Sequence, residues 1–119
     1  MPDPSTYAGS CHCGKVKYEA TLLLESAMDC NCSIDSRTAA VMVPVPAENF
    51  KLLSGEGEMT EYLFGKKHIH RCFCRTCGIH AFAYGAGRDG KPMKMINLRC
   101  IDGVDLSKLK IAHHDGRGR

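Results

Sequence analysis

The chain has 119 residues, 44% apolar and 24% charged, with a formal charge of +3 and eight cysteines. That length fits one domain whose modest core needs staples, and the cysteines can supply them. No apolar run approaches the ~18 residues that cross a bilayer, so no membrane span is expected. The scattered basic residues, with no interleaved aromatic stripe, argue against a nucleic-acid partner.

Met1–Ser5 has neither the basic nor the apolar stretch of a secretory leader, so a cytoplasmic, reducing compartment is expected. Asn31-Cys32-Ser33 has the form of a glycosylation site, but a chain that is not secreted never meets the enzyme. Gly and Pro recur at short intervals, which suits short strands and turns. Lys15 to Leu22 alternates, with Val16, Tyr18, Ala20 and Leu22 on one face. Ser33 to Thr38 is a candidate short helix. Ala39 to Val45 is apolar but holds Pro44 and precedes Pro46, which places it at a sheet edge or strand end. Met59 to Phe64, His68 to Phe73 and His80 to Tyr84 read as strands. Gly85 to Pro92 reads as a hairpin loop and Met93 to Cys100 as its returning strand. Asp105 can start one helical turn to Lys110, and a tail from His113 to Arg119 is expected to fray.

The cysteines form Cys11-His12-Cys13, Cys30-Asn31-Cys32, Cys72-Phe73-Cys74-Arg75-Thr76-Cys77-Gly78 and a lone Cys100. A C-x-C on a strand puts two thiolates on one face, and a C-x-x-C before Gly is the tight turn of a zinc knuckle. One of each makes a closed four-thiolate site, which ties distant segments together and adds folding energy. Disulfides and an iron–sulfur cluster are the alternatives. Spacing leaves open whether Cys11/Cys13 or Cys30/Cys32 joins Cys74 and Cys77. A zinc on four thiolates would lower the charge to +1, so the charge carries no sign of a nucleic-acid partner.

Cys30-Asn31-Cys32-Ser33-Ile34-Asp35 offers two thiolates and a carboxylate. Three protein ligands leave a fourth position open, as in a catalytic zinc site. The plainer reading is two partly buried cysteines beside a helix-capping Asp. Arg37 follows the segment and can meet a substrate carboxylate. His68 and His70 share a strand face and are further candidates to line a pocket. His12, between two ligands, reads as structural, and His113 and His114 as solvent-facing. Cys72 and Cys100 read as small buried hydrophobes.

Gly9-Ser10-Cys11-His12-Cys13-Gly14-Lys15-Val16, Cys30-Asn31-Cys32-Ser33 and Phe73-Cys74-Arg75-Thr76-Cys77-Gly78 resemble the glutathione-dependent formaldehyde-activating enzyme family, also called the GFA or CENP-V domain family. Phe50-Lys51-Leu52-Leu53-Ser54-Gly55, Asn97-Leu98-Arg99-Cys100-Ile101-Asp102 and His114-Asp115-Gly116 extend the resemblance over nearly the whole chain. It implies a mainly β, zinc-stapled β-tent domain of short antiparallel strands with little helix, spanning 1–119. It also implies that Cys11, Cys13, Cys74 and Cys77 hold a structural zinc, and that Cys30, Cys32 and the residue three further on hold a second. The family usually has Cys at that last position, and here it is Asp35. The implied activity is that of a carbon–sulfur lyase joining glutathione, or another small thiol, to an aldehyde. Arg37 and His70 are its candidate thiol-substrate contacts. The alternative is a non-catalytic zinc-stapled binding module that has lost the second zinc through Asp35.

Overall fold

The computed structural model describes residues 4–30, 33–63, 69–86 and 90–114. The strands are β1 (Ser5–Ser10), β2 (Lys17–Leu22), β3 (Ser26–Cys30), β4 (Met42–Pro46), β5 (Phe50–Ser54), β6 (Met59–Tyr62), β7 (His70–Cys74), β8 (His80–Ala86), β9 (Pro92–Asn97) and β10 (Lys110–His114). One short helix, α1 (Asp35–Thr38), follows β3. Single 3-10 turns lie at Ala47–Asn49, Leu98–Cys100 and Leu106–Lys108. The protein is mainly β, as expected.

The alternation read at Lys15 to Leu22 is what buries β2. Val16, Tyr18, Ala20 and Leu22 all lie in the core, while Lys17 is exposed. β2 is the middle of an antiparallel three-stranded sheet, β1-β2-β5. The second sheet has the order β10-β3-β4-β9-β8-β7-β6. The sheets meet through Tyr18, Phe50 and Phe82, whose ring centroids are 4.7–5.8 Å apart. Tyr18 is fully buried, so its hydroxyl needs a partner; it donates to the Ala81 carbonyl at 3.2 Å. Gly9 faces the Tyr18 ring, where a Cβ would sit 2.5 Å from the nearest ring atom. That close approach lets β1 deliver Cys11 to the edge of the core.

Four expectations change. β4 lies inside its sheet, between β3 and β9, despite Pro44. Its register with β3 is confined to Met28↔Met42, so beyond Met42 the strand is an edge on that side, and the N–H that Pro44 lacks is not missed. The C-terminal segment does not fray from His113: His113 and His114 belong to β10, which runs parallel to β3 in register His113↔Asp29 and His114↔Cys30. That pair is also a parallel exception to the expected antiparallel pattern. Finally, the returning strand stops at Asn97, and Leu98–Cys100 turns away, with the Asn97 side chain capping the Arg99 N–H at 3.1 Å. No helix among the described residues is long and apolar enough to cross a membrane.

Candidate metal centre

Two tight turns build the first site. Cys11 opens the turn between β1 and β2, where its N–H donates to the Val16 carbonyl at 3.0 Å and its sulfur accepts from the Val16 N–H at 3.4 Å. Gly14, at φ +83°, takes the left-handed conformation this turn needs. Cys11-His12-Cys13 is therefore part of a turn, not of an extended strand, and it is the turn that aims both sulfurs at one point. Cys74 ends β7 and opens the second turn. There Gly78 N–H donates to the Cys74 carbonyl at 2.8 Å, and Thr76 N–H donates to the Cys74 sulfur at 3.4 Å. Gly78, at φ +80°, closes the turn.

The four sulfurs of Cys11, Cys13, Cys74 and Cys77 lie within 4.8 Å of one another. Cys13 is 3.6 Å from both Cys11 and Cys74. A tetrahedral ion with metal–sulfur bonds of about 2.3 Å needs sulfurs about 3.8 Å apart, so these four fit a metal such as zinc. The structure thus joins Cys11/Cys13 to the knuckle. The thiols compete for charge. The Lys15 N–H favours the Cys13 thiolate, but burial and the neighbouring thiols outweigh it and push Cys13 up to about 11. Burial opposes ionisation of Cys77, but N–H groups and the nearby thiols draw it down to about 6. Four thiolates this close require a cation to neutralise them.

Cys72 and Cys100 lie outside this set. Burial pushes the Cys72 thiol up to about 12; burial, with Cys11 and Cys77 nearby, pushes Cys100 up to about 11. Both therefore stay protonated and behave as packing groups.

The second cluster is assembled from separate strands. Asp35 opens α1 and accepts a hydrogen bond from Arg71 Nη1 of β7 at 3.1 Å; each side chain is only 11% exposed. His80, at the start of β8, stacks on Phe73 with centroids 5.1 Å apart. Burial lowers its pKa, Arg71 lowers it further and Asp35 opposes, so the ring is neutral at pH 7. Cys30 is half-buried at the end of β3, five residues before Asp35 opens α1, and Cys32 lies outside the described residues. Sequence reading missed Arg71 and His80, because nothing in their local spacing signals a partner on α1.

The other candidates are placed as follows. His70 neighbours Arg71 on β7 and so points to the opposite sheet face. There it pairs with Glu61 at 2.7 Å and stacks on Tyr84 at 4.4 Å, away from Asp35. Arg37 is exposed and donates to the Ser33 carbonyl at 2.6 Å. His68 lies outside the described residues. His113 is solvent-facing and pairs with Asp29 at 2.8 Å.

The family model described as glutathione-dependent formaldehyde-activating enzyme matches residues 6–114. The chain belongs to the GFA family. It is also similar to a Rhodobacter sphaeroides protein whose crystal structure came from a structural-genomics programme. The two are 29% identical with a TM-score of 0.76, over 88% of this chain and 99% of that one. A GFA-type fold with four cysteines positioned to bind a metal ion is therefore the core of the described residues.

Proposed function

We propose that this GFA-family chain is a zinc-dependent carbon–sulfur lyase that joins a small thiol, such as glutathione, to an aldehyde and releases it again, in the cytoplasm. Cys11, Cys13, Cys74 and Cys77 form the zinc staple. Cys30, Cys32 and Asp35 form the second, open zinc site. The observation that supports this reading is the part-buried Asp35–Arg71 pair with His80 beside it, Asp35 being on the helix that follows the Cys30 strand in the chain. Burying a charge pair costs more than apolar packing of the same volume, so a small domain has little structural reason to keep one. Buried charge clusters of this kind gather at functional sites.

The reaction adds a thiol across a carbonyl. The carbon–sulfur bond forms, the carbonyl π pair moves to oxygen, and the thiol proton ends on that oxygen. A zinc ion at the second site would supply an open position that stabilises a thiolate or polarises a carbonyl. Arg71 takes Oδ1 of the Asp35 carboxylate, which leaves Oδ2 as the oxygen proposed to ligate the ion. Its guanidinium also offsets the negative charge that two thiolates and a carboxylate bring together. Neutral His80 is the group available to hold the proton between sulfur and oxygen. Arg37, exposed on α1 and donating to the Ser33 carbonyl, is the candidate contact for a carboxylate of the thiol substrate.

The same ion pair favours a second reading, in which Asp35 serves Arg71 alone and the chain is a zinc-stapled binding module without activity. Metal content per chain, measured on protein purified without chelator, separates the two. The lyase reading expects two zincs, falling to one in Asp35→Asn, together with saturable glutathione binding by calorimetry. One zinc in both proteins and no glutathione binding would establish the module.

A further inference from the structure

We infer that Arg99 is the positioning residue of the Asp35 cluster, acting through the C-terminal cap of α1. The inference rests on the reading of Asp35 as a site residue. α1 has only four residues and no side-chain cap at its N-terminus, so it cannot hold its own place. Its C-cap, Ala39, has φ +58° and ψ +28°, the left-handed conformation that glycine takes easily and alanine does not. Something must hold that residue there. Ala39 N–H donates back to the Asp35 carbonyl at 2.9 Å, and the Ala39 carbonyl accepts from Arg99 Nε at 2.8 Å. A charged donor on a carbonyl is among the stronger hydrogen bonds a protein makes.

Arg99 is itself held. It lies in the Leu98–Cys100 turn, whose Leu98 N–H donates to the Val41 carbonyl at 2.8 Å. Asn97, just before the turn, is 6% exposed. Its side chain accepts from the Arg99 N–H and donates to the His80 carbonyl at 2.8 Å. One turn therefore grips the backbone of His80 through Asn97 and the cap of α1 through Arg99. Those are the two elements that must stay in register for Asp35, Arg71 and His80 to meet. Asp35 reaches Arg71 because the other end of its helical turn is fixed to Arg99.

The test uses Arg99→Ala and the double variant Arg99→Ala/Ala39→Gly in the full chain. Arg99 is exposed, so the fold and the four-cysteine metal are expected to survive. In Arg99→Ala, amide exchange at Thr38 and Ala39 should speed up about 10- to 100-fold, the loss of one charged hydrogen bond. Metal content should fall from two per chain to one. Arg99→Lys, which keeps a donor on a long stem, should recover part of both. A merely stabilising Arg99 predicts otherwise: the double variant, relieved of the strained alanine, would then regain both stability and the second metal. Positioning predicts that it regains stability without the metal. Native exchange at Thr38 and Ala39 in Arg99→Ala, or a second metal retained by that variant, overturns the inference. If the native chain holds one metal only, the second-site reading falls, and amide exchange alone still decides whether Arg99 holds the cap.

Discussion

The two cysteine regions are built in opposite ways. Around Cys11–Cys13 and Cys74–Cys77, each turn closes on itself: N–H groups within five residues bind each leading sulfur, and a left-handed glycine completes each turn. The long-range step is only the meeting of two finished turns. Around Cys30 and Asp35 nothing is self-contained. Asp35 comes from a one-turn helix, Arg71 from β7, His80 from β8 and the brace from Arg99 after β9. A site made of local turns is stable wherever its ligands meet. A site assembled from four elements depends on the whole sheet, and it can be lost while the first remains.

The sharpest way to break that contrast is to remove the metal. A strong chelator, or Cys74→Ser, should unfold the chain. The binding free energy of a structural zinc, about 10–16 kcal/mol in small domains, is as large as the ~5–15 kcal/mol that holds a whole domain together. Loss of the far-ultraviolet β signal on chelation, restored by added zinc, is the expected readout. A folded, metal-free chain would mean that the aromatic core of Tyr18, Phe50 and Phe82 suffices.

Breaking the second region should cost less and leave the first intact. Asp35→Ala removes the carboxylate that Arg71 contacts, where each side chain is 11% exposed. Removing one partner of a buried pair costs about 3–5 kcal/mol. Arg71→Met with Asp35→Leu, which removes both charges, should return most of that stability, as measured by urea denaturation. A single Asp35→Ala costing under 1 kcal/mol would mean that water reaches Arg71 and that the pair is not buried in solution.

The same contrast explains what could be read from the sequence. The β2 core face was legible because its period of two is written in consecutive residues, and Val16, Tyr18, Ala20 and Leu22 are all buried. The metal ligands were legible in type because knuckle turns have fixed spacing, but the choice of Cys11/Cys13 over Cys30/Cys32 rested on resemblance until the fold brought them to Cys74. Asp35 was legible as a candidate, but its partner was not: Arg71 lies 36 positions later and becomes a neighbour only through the sheet order. Pro44 misled because a proline marks an unpaired strand side, and β4 has one although it lies between two strands. The pairing of β10 with β3 had no local signal, since parallel register is set by packing and not by a turn.

The smallest expected effect lies on the sheet face opposite Asp35, where Glu61, His70 and Tyr84 form a polar group that serves neither site. Tyr84 Oη donates to Glu61 Oε1 at 2.6 Å, and His70 Nδ1 lies 2.7 Å from the same oxygen. The Tyr84 hydroxyl first, then His70 and Lys94, favour the ionised carboxyl and hold Glu61 below its usual 4.5, although burial opposes them. A carboxyl whose pKa is lower in the folded state stabilises the fold above its unfolded pKa, and the gain is lost as pH falls through the folded value. Stability measured from pH 6 downward should therefore decline below about pH 4.5, and Glu61→Gln should flatten that part of the acid limb. The Glu61 side chain is 42% exposed, so screening keeps the change at pH 7 within about 1 kcal/mol. The metal sites offer the comparison. Acid also protonates metal-bound thiolates, but that loss is unaffected by Glu61→Gln. An acid limb identical in the native chain and Glu61→Gln would assign acid sensitivity to the thiolates alone.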